Sequence, residues 1–172
     1  MRKNFLLEVG CENLPSGYVA TALGQIEKLF AGGLSDERIP YKSLTVLGTP
    51  KRLVVYIAGL SDKQEAVEST VVGPPAAVGL SPDGKYTKEA SGFARSQGVP
   101  ANRLTTVKTS KGEYLAVVRR IRGRSTVSLL GEKVPQWLQS VKFPKMMRWD
   151  SGGFRFARPV RWIVSIFGEK TL

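Results

Sequence analysis

Six cations crowd residues 142–161 of this chain: Lys142, Lys145, Arg148, Arg155, Arg158 and Arg161. One carboxylate, Asp150, stands against them, and Phe143, Trp149, Phe154, Phe156 and Trp162 are threaded between. Cations spaced by flat rings suit a surface that meets a polyanion, with the rings either stacking on bases or locking strands. The chemistry is grip, not bond-making. The same residue types also make ordinary cross-strand pairs on a solvated face, so these residues alone leave both roles open.

Covalent chemistry has little to work with. Histidine is absent, which excludes Ser-His-Asp and Cys-His sites and any histidine zinc site. The one cysteine, Cys11, allows no internal disulfide and no thiolate cluster, and fits a reducing cytoplasm. Beside a strand end it reads as packing, not as a nucleophile. Glu8 and Glu12 are the acidic pair near a strand end, where capping and turn roles are the common ones. Gly79-Leu-Ser-Pro-Asp-Gly84-Lys85 has the spacing of a phosphate-binding loop, but Tyr86 stands where Ser or Thr would hold the metal. Pro82 lacks an amide donor where such a loop needs donors. Pro-Asp-Gly is a turn signal.

The elements that must position the cations can be read in order. Alternation of Phe5, Leu7 and Val9 predicts a strand over 4–10, not a signal peptide. Asn13-Leu-Pro15-Ser16 opens a helix carrying Val19, Ala22, Leu23, Ile26 and Phe30, and Ala31-Gly-Gly33 is expected to stop it. Residues 34–43 read as a loop; Leu44–Leu47 and Arg52–Leu60 read as strands around the turn that holds Lys51. Val71-Val72 is a short extended piece. Thr87 caps a short helix through Ala90, Phe93 and Ala94 that Gly98 ends. Residues 105–109 and 113–121 form a hairpin whose end, Arg119-Arg-Ile-Arg-Gly-Arg124, is either a solvated strand end or a second basic surface. Residues 125–141 are a helix candidate with Pro135 awkward inside it. The cationic stretch follows as two extended segments joined at Asp-Ser-Gly-Gly, and the last strand runs from Val160 to Phe167. There, Phe154, Phe156, Val160, Trp162, Val164 and Ile166 share one parity and are expected in the core, with Arg155 and Arg161 on the other face.

Composition sets the class. The 172 residues, 42% apolar, are enough for one domain or two small ones with a real core, and no apolar run nears the ~20 residues that span a bilayer. The fold class expected is α+β: two small lobes of antiparallel sheet with helices packed on one face, β-α-β-β in the first lobe. The boundaries expected are 1–65 for that lobe and 66–172 for a second, basic lobe. The net charge of +12 is uneven, since residues 87–172 hold 17 Lys+Arg against 5 Asp+Glu and the first half is neutral. A one-sided charge points to an anionic partner, nucleic acid first, with an acidic protein subunit or membrane headgroups as alternatives.

Six phrases then coincide in order: Leu6-Leu-Glu-Val-Gly-Cys-Glu-Asn-Leu-Pro15, Gly48-Thr-Pro-Lys-Arg-Leu53, Val72-Gly-Pro-Pro75, Lys88-Glu-Ala-Ser-Gly-Phe-Ala-Arg95, Pro144-Lys-Met-Met-Arg-Trp149 and Arg155-Phe-Ala-Arg-Pro-Val-Arg-Trp162. Together they resemble the N-terminal part of the bacterial glycyl-tRNA synthetase beta subunit, from residue 4 to about 168. The resemblance implies an N-terminal fragment of a much longer subunit, in a tetramer of two alpha and two beta subunits. It implies that ATP, magnesium and glycine are used through the alpha subunit, with no cofactor in this fragment, and that the beta subunit supplies tRNA binding. The family in turn resembles, in parts, the body and tail of archaeal CCA-adding enzymes. Cys11, Asn13 and Met146 depart from the family pattern, which weakens any special role for Glu12.

The expected function is tRNA gripping without a catalytic or metal site, in the cytoplasm and off the membrane. Lys145, Arg148, Arg155, Arg158 and Arg161, then Lys51 and Arg52, are the expected RNA-binding residues, making phosphate and sugar contacts. Trp149 and Phe154 are candidates for base stacking or, more simply, core packing. The rival is an assembly module whose basic surface docks on the alpha subunit or on later beta domains. A nucleotide-using enzyme, resting on Gly79–Lys85, is the third reading.

Overall fold

The alternating run at the start forms β1 (Arg2–Cys11), and the helical spacing after Pro15 forms α1 (Ser16–Asp36). β2 (Ser43–Thr49) and β3 (Arg52–Ser61) follow as a hairpin. Next come β4 (Val67–Pro75), α2 (Ala76–Gly79), α3 (Lys88–Ser96), a 3-10 turn at Ala101–Arg103, β5 (Thr105–Thr109) and β6 (Gly112–Ile121). The chain closes with α4 (Thr126–Ser140), β7 (Met147–Arg148), β8 (Arg155–Phe156), β9 (Val160–Phe167) and β10 (Lys170–Thr171). The computed structural model describes every residue except Pro82 and Asp150.

The architecture is α+β with separate antiparallel sheets, as expected. The division of the chain is not the expected 1–65 and 66–172. Met1–Glu65 and Gly123–Leu172 form one unit, and Ala66–Arg122 forms the other. The first boundary, the break after Glu65, coincides with the expected one. The second is absent from composition, because β9 returns to pair with β1, and only that pairing assigns residues 123–172 to the first unit.

In the first unit the five-stranded sheet has the order β10-β9-β1-β3-β2. Its inward rows are Leu44–Ile57–Phe5–Phe167, Val46–Val55–Leu7–Ser165 and Gly48–Leu53–Val9–Ile163. Ala22, Ile26, Phe30 and Leu34 of α1, with Leu130, Val134 and Leu138 of α4, join these residues in one buried cluster. Each large aliphatic or aromatic side chain fully buried there stabilises the fold by about 1.5–3 kcal/mol. α1 does not stop at Gly32-Gly33; it runs on to Asp36 and buries Leu34. Trp137 of α4 lies across Gly33 and meets Phe30 edge-on with ring centroids 4.9 Å apart. Gly33 thus serves close helix approach, not termination. Pro135 sits inside a single helix, α4, on its exposed side.

The second unit is a three-stranded sheet, β4-β6-β5, whose core is Ala90, Ala94, Leu104, Leu115 and Val117. Thr87 caps α3, its hydroxyl accepting from the Ala90 amide. In the phosphate-loop look-alike, the Ser81 amide donates to the Lys85 carbonyl at 2.8 Å and the Gly84 amide to the Ser81 carbonyl at 2.8 Å. Those donors are spent within a turn; Pro82 of the same segment lies outside the described residues. Of the arginine run at the end of β6, Arg119 donates to the Gln97 carbonyl.

The expected face of β9 is reversed. Cys11 pairs with Val160 and Gly10 with Trp162, so Arg161 is a bulge residue. Val160 packs on the core, but one extra residue flips all that follow. Trp162, Val164 and Ile166 therefore lie on the outward face, and Ile163, Ser165 and Phe167 turn inward. β10, not expected from sequence, pairs with the end of β9.

Candidate nucleic-acid interface

Three backbone hydrogen bonds gather distant segments at one end of the five-stranded sheet. The Cys11 amide donates to the Lys51 carbonyl at 2.9 Å, Glu12 to Pro159 at 3.0 Å and Leu14 to Pro50 at 2.7 Å. The β2–β3 turn, the exit from β1 and the start of β9 are thereby tied together. Lys51, Arg52, Arg158 and Arg161 meet there, from sequence positions more than a hundred residues apart.

Lys145, Arg148 and Arg155 come from the segment after α4. Gln25 of α1 brackets the start of that segment, donating to the Lys142 carbonyl and accepting from the Lys142 amide, both at 2.8 Å. β7 and β8 then form a two-stranded ribbon in which Arg148 pairs directly with Arg155. Phe156 pins the ribbon to the core, edge-on to Phe143 at 4.9 Å, and Phe143 lies 5.8 Å from the ring of Tyr18 on α1. Arg158 bridges the two groups: it lines one cleft with Lys145 and Met147, and a second with Glu12, Asn13 and Trp149. All seven expected cations thus sit on one unit, with exposed side chains.

They are not equally free. The Arg161 Nε lies 3.4 Å from Glu12 Oε1, and an Arg52 guanidinium nitrogen lies 3.5 Å from Glu8 Oε2. The Arg158 Nε donates to the Asn13 carbonyl at 3.1 Å. Among the described residues, no carboxylate lies within ion-pairing distance of Lys51, Lys145, Arg148, Arg155 or Arg158. Like charges directly across a ribbon repel, and an anion between them would relieve that repulsion.

The two aromatic candidates differ from a free stacking surface. Trp149 donates its indole N–H to the Phe156 carbonyl at 3.0 Å, and Phe154 stacks on Phe156 at 5.7 Å. Glu8 and Glu12 serve as ion-pair partners. Cys11 is buried, and burial, with the Glu12 charge second, pushes its thiol above the ordinary value, which keeps it unreactive. No group of three or more His, Cys, Asp or Glu is placed to hold a metal ion among the described residues.

A sequence model described as glycyl-tRNA synthetase beta subunit matches residues 5–172. The chain belongs to that family. It is 42% identical to a glycine–tRNA ligase beta subunit of Citrifermentans bemidjiense over 172 residues, all of this chain and 25% of that protein. It is 44% identical to that of Trichlorobacter lovleyi over 97% of this chain and 24% of the relative, and 41% identical to that of Nitratidesulfovibrio vulgaris over 96% and 24%. The chain therefore spans about a quarter of the length of these relatives. No helix among the described residues is long and apolar enough to cross a membrane.

In this member of the glycyl-tRNA synthetase beta subunit family, Trp162 is, with Val164 and Ile166, one of the β9 residues that sequence reading placed on the wrong face. It is 40% exposed on the outward sheet face, not in the core. Two sequence signals mark it: Gly10 in a strand otherwise full of side chains, and Arg158-Pro159 just before β9, where a break in register would fall.

Proposed function

We propose that this chain is the N-terminal part of a glycine–tRNA ligase beta subunit and holds tRNA by its phosphates while glycine is activated elsewhere. In this reading the full enzyme pairs two alpha with two beta subunits in the cytoplasm, and ATP and magnesium are used through the alpha subunit. The observation that carries it is the gathering of seven cations on one unit, with Arg148 opposed to Arg155 and no carboxylate within ion-pairing distance of either among the described residues. A phosphate between the two guanidinium groups turns that repulsion into attraction. Lys51, Lys145 and Arg158 extend the track. Arg52 and Arg161 contribute less in this reading, because a phosphate must compete with Glu8 and Glu12.

The test is equilibrium binding of a glycine tRNA transcript across a salt series. Log affinity should fall with log salt by ~0.7–0.9 per phosphate contact. Arg148→Ala combined with Arg155→Ala should flatten the slope by one to two contacts and weaken binding. Unchanged slope and affinity in that double variant would remove the site; salt-independent binding by the parent chain would remove the function.

One observation favours the second reading, an assembly module. Leu47 (59% exposed), Tyr56 and Val164 stand on the outward sheet face, and Ile163 (56%) is open on the other. Apolar surface on both sides of one strand is what a protein partner covers. Capture of the alpha subunit by this chain, undiminished by added tRNA, would favour that reading.

A further inference from the structure

We infer that Trp162 is a stacking platform for an unpaired nucleobase, at the basic end of the outward sheet face. The inference rests on the reading of this end of the sheet as an RNA-contacting surface, and assigns a residue and a ligand group that the phosphate track does not include.

Gly10 sets the position of the ring. A Cβ built there would come within 1.9 Å of Trp162 Cε2 and 2.3 Å of Cζ2. The indole therefore lies flat across the backbone of β1, in space that any other residue at position 10 would fill. One π-face covers the strand, and 40% of the residue stays exposed. The ring is held in place. Its N–H donates to Glu8 Oε1 at 2.8 Å, and Glu8 is itself paired with Arg52. The Arg52 guanidinium lies over the ring, 6.0 Å from its centroid, at the limit of a cation–π contact and far enough to be displaced by a stacked base.

The outward rows separate this spot from the rest of the face. Thr49–Arg52–Gly10–Trp162 is the end row, next to Lys51 and the Arg161 bulge. The following rows, Leu47–Val54–Glu8–Val164 and Thr45–Tyr56–Leu6–Ile166, are largely apolar and carry no cation. A rigid flat ring with cations at its edge matches a nucleotide, whose base is flat and whose phosphate is anionic. A hydrophobic protein segment offers no anion to Lys51, which has no carboxylate within ion-pairing distance among the described residues, whereas Arg52 and Arg161 are already braced on Glu8 and Glu12. A flat ring held on a strand costs little to order on binding, since its hydrogen bond and the sheet already fix its rotamer.

The experiment uses the 172-residue chain and two probes: a single-stranded adenine hexaribonucleotide, and the same RNA with its bases replaced by abasic sites. Affinities are measured over a salt series. Trp162→Leu should bind the intact RNA about tenfold more weakly, the loss of one base–aromatic stack, with the salt slope unchanged because stacking releases no counterions. Trp162→Phe should keep most of the affinity. The parent chain should prefer intact over abasic RNA by about the same factor, and Trp162→Leu should lose that preference. The abasic comparison needs no variant, so it decides even where Trp162→Leu fails to fold. Salt-dependent binding that ignores both the bases and residue 162 would overturn the platform while leaving the phosphate track standing, and would assign the indole to a protein partner. Failure of the parent chain to bind either RNA would overturn both readings together.

Discussion

At the scale of single residues, two glycines do work that a turn-based reading of glycine misses. Gly10 and Gly33 each leave room for an indole, Trp162 on the sheet and Trp137 between α1 and α4. Helix propensity alone would make Gly33→Ala stabilising by about 1 kcal/mol, since the position is inside α1. The added Cβ, however, would fall 2.3 Å from Trp137 Cζ2, and Trp137 is wedged against Phe30. Overpacking of this kind costs about 1–3 kcal/mol, so the steric effect wins. Gly33→Ala is expected to lower the urea midpoint without changing the slope of the transition. A raised midpoint would mean that α4 can slide away from α1 freely. The sequence pattern could not show this, because Gly-Gly near a helix end is also what a terminating helix looks like.

At the scale of elements, strand and helix identities were legible and their limits were not. The helical spacing from Ala22 to Phe30 and the β1 alternation are strong periodic signals, and both elements form where expected. Pro135 was the ambiguous mark: a kink, or the first turn of a new helix. It lies in the interior of one helix, with its ring exposed and the i−4 residue, Gly131, exposed as well. Water can satisfy the carbonyl that loses its partner, which limits the cost. The missing amide and the ring still strain α4. Pro135→Ala is therefore expected to raise stability by about 1–3 kcal/mol, read from denaturant melts. No gain would show that restricted unfolded-state freedom from Pro135 offsets the strain. The β7–β8 ribbon, two residues on each side, is too short to stand without Phe156 and Phe143 beneath it.

At the scale of the whole molecule, the second unit is an insertion in the first. Its two ends are adjacent in the first unit: the Gln64 amide donates to the Arg124 carbonyl at 3.0 Å, and Lys63 bridges Ser125. Replacing 66–122 by a short glycine linker should therefore leave the first unit folded, with a single cooperative melt. All seven cations lie in what remains, so tRNA affinity should fall by no more than a few-fold. Loss of the melt would show that the insertion is needed for folding, and near-total loss of binding would move the RNA surface to Ala66–Arg122. The sequence by itself determined the α+β class, the β-α-β-β opening, the exclusion of histidine chemistry and which residue types could meet a polyanion. These follow from composition and local period, which neighbours in the chain decide together. Only the tertiary structure decided that residues 123–172 join the first unit, that the Arg161 bulge turns Trp162 outward, and that Arg52 and Arg161 spend charge on Glu8 and Glu12. Each depends on a partner far along the chain, and a single inserted residue reverses a strand's faces without leaving a mark in its alternation.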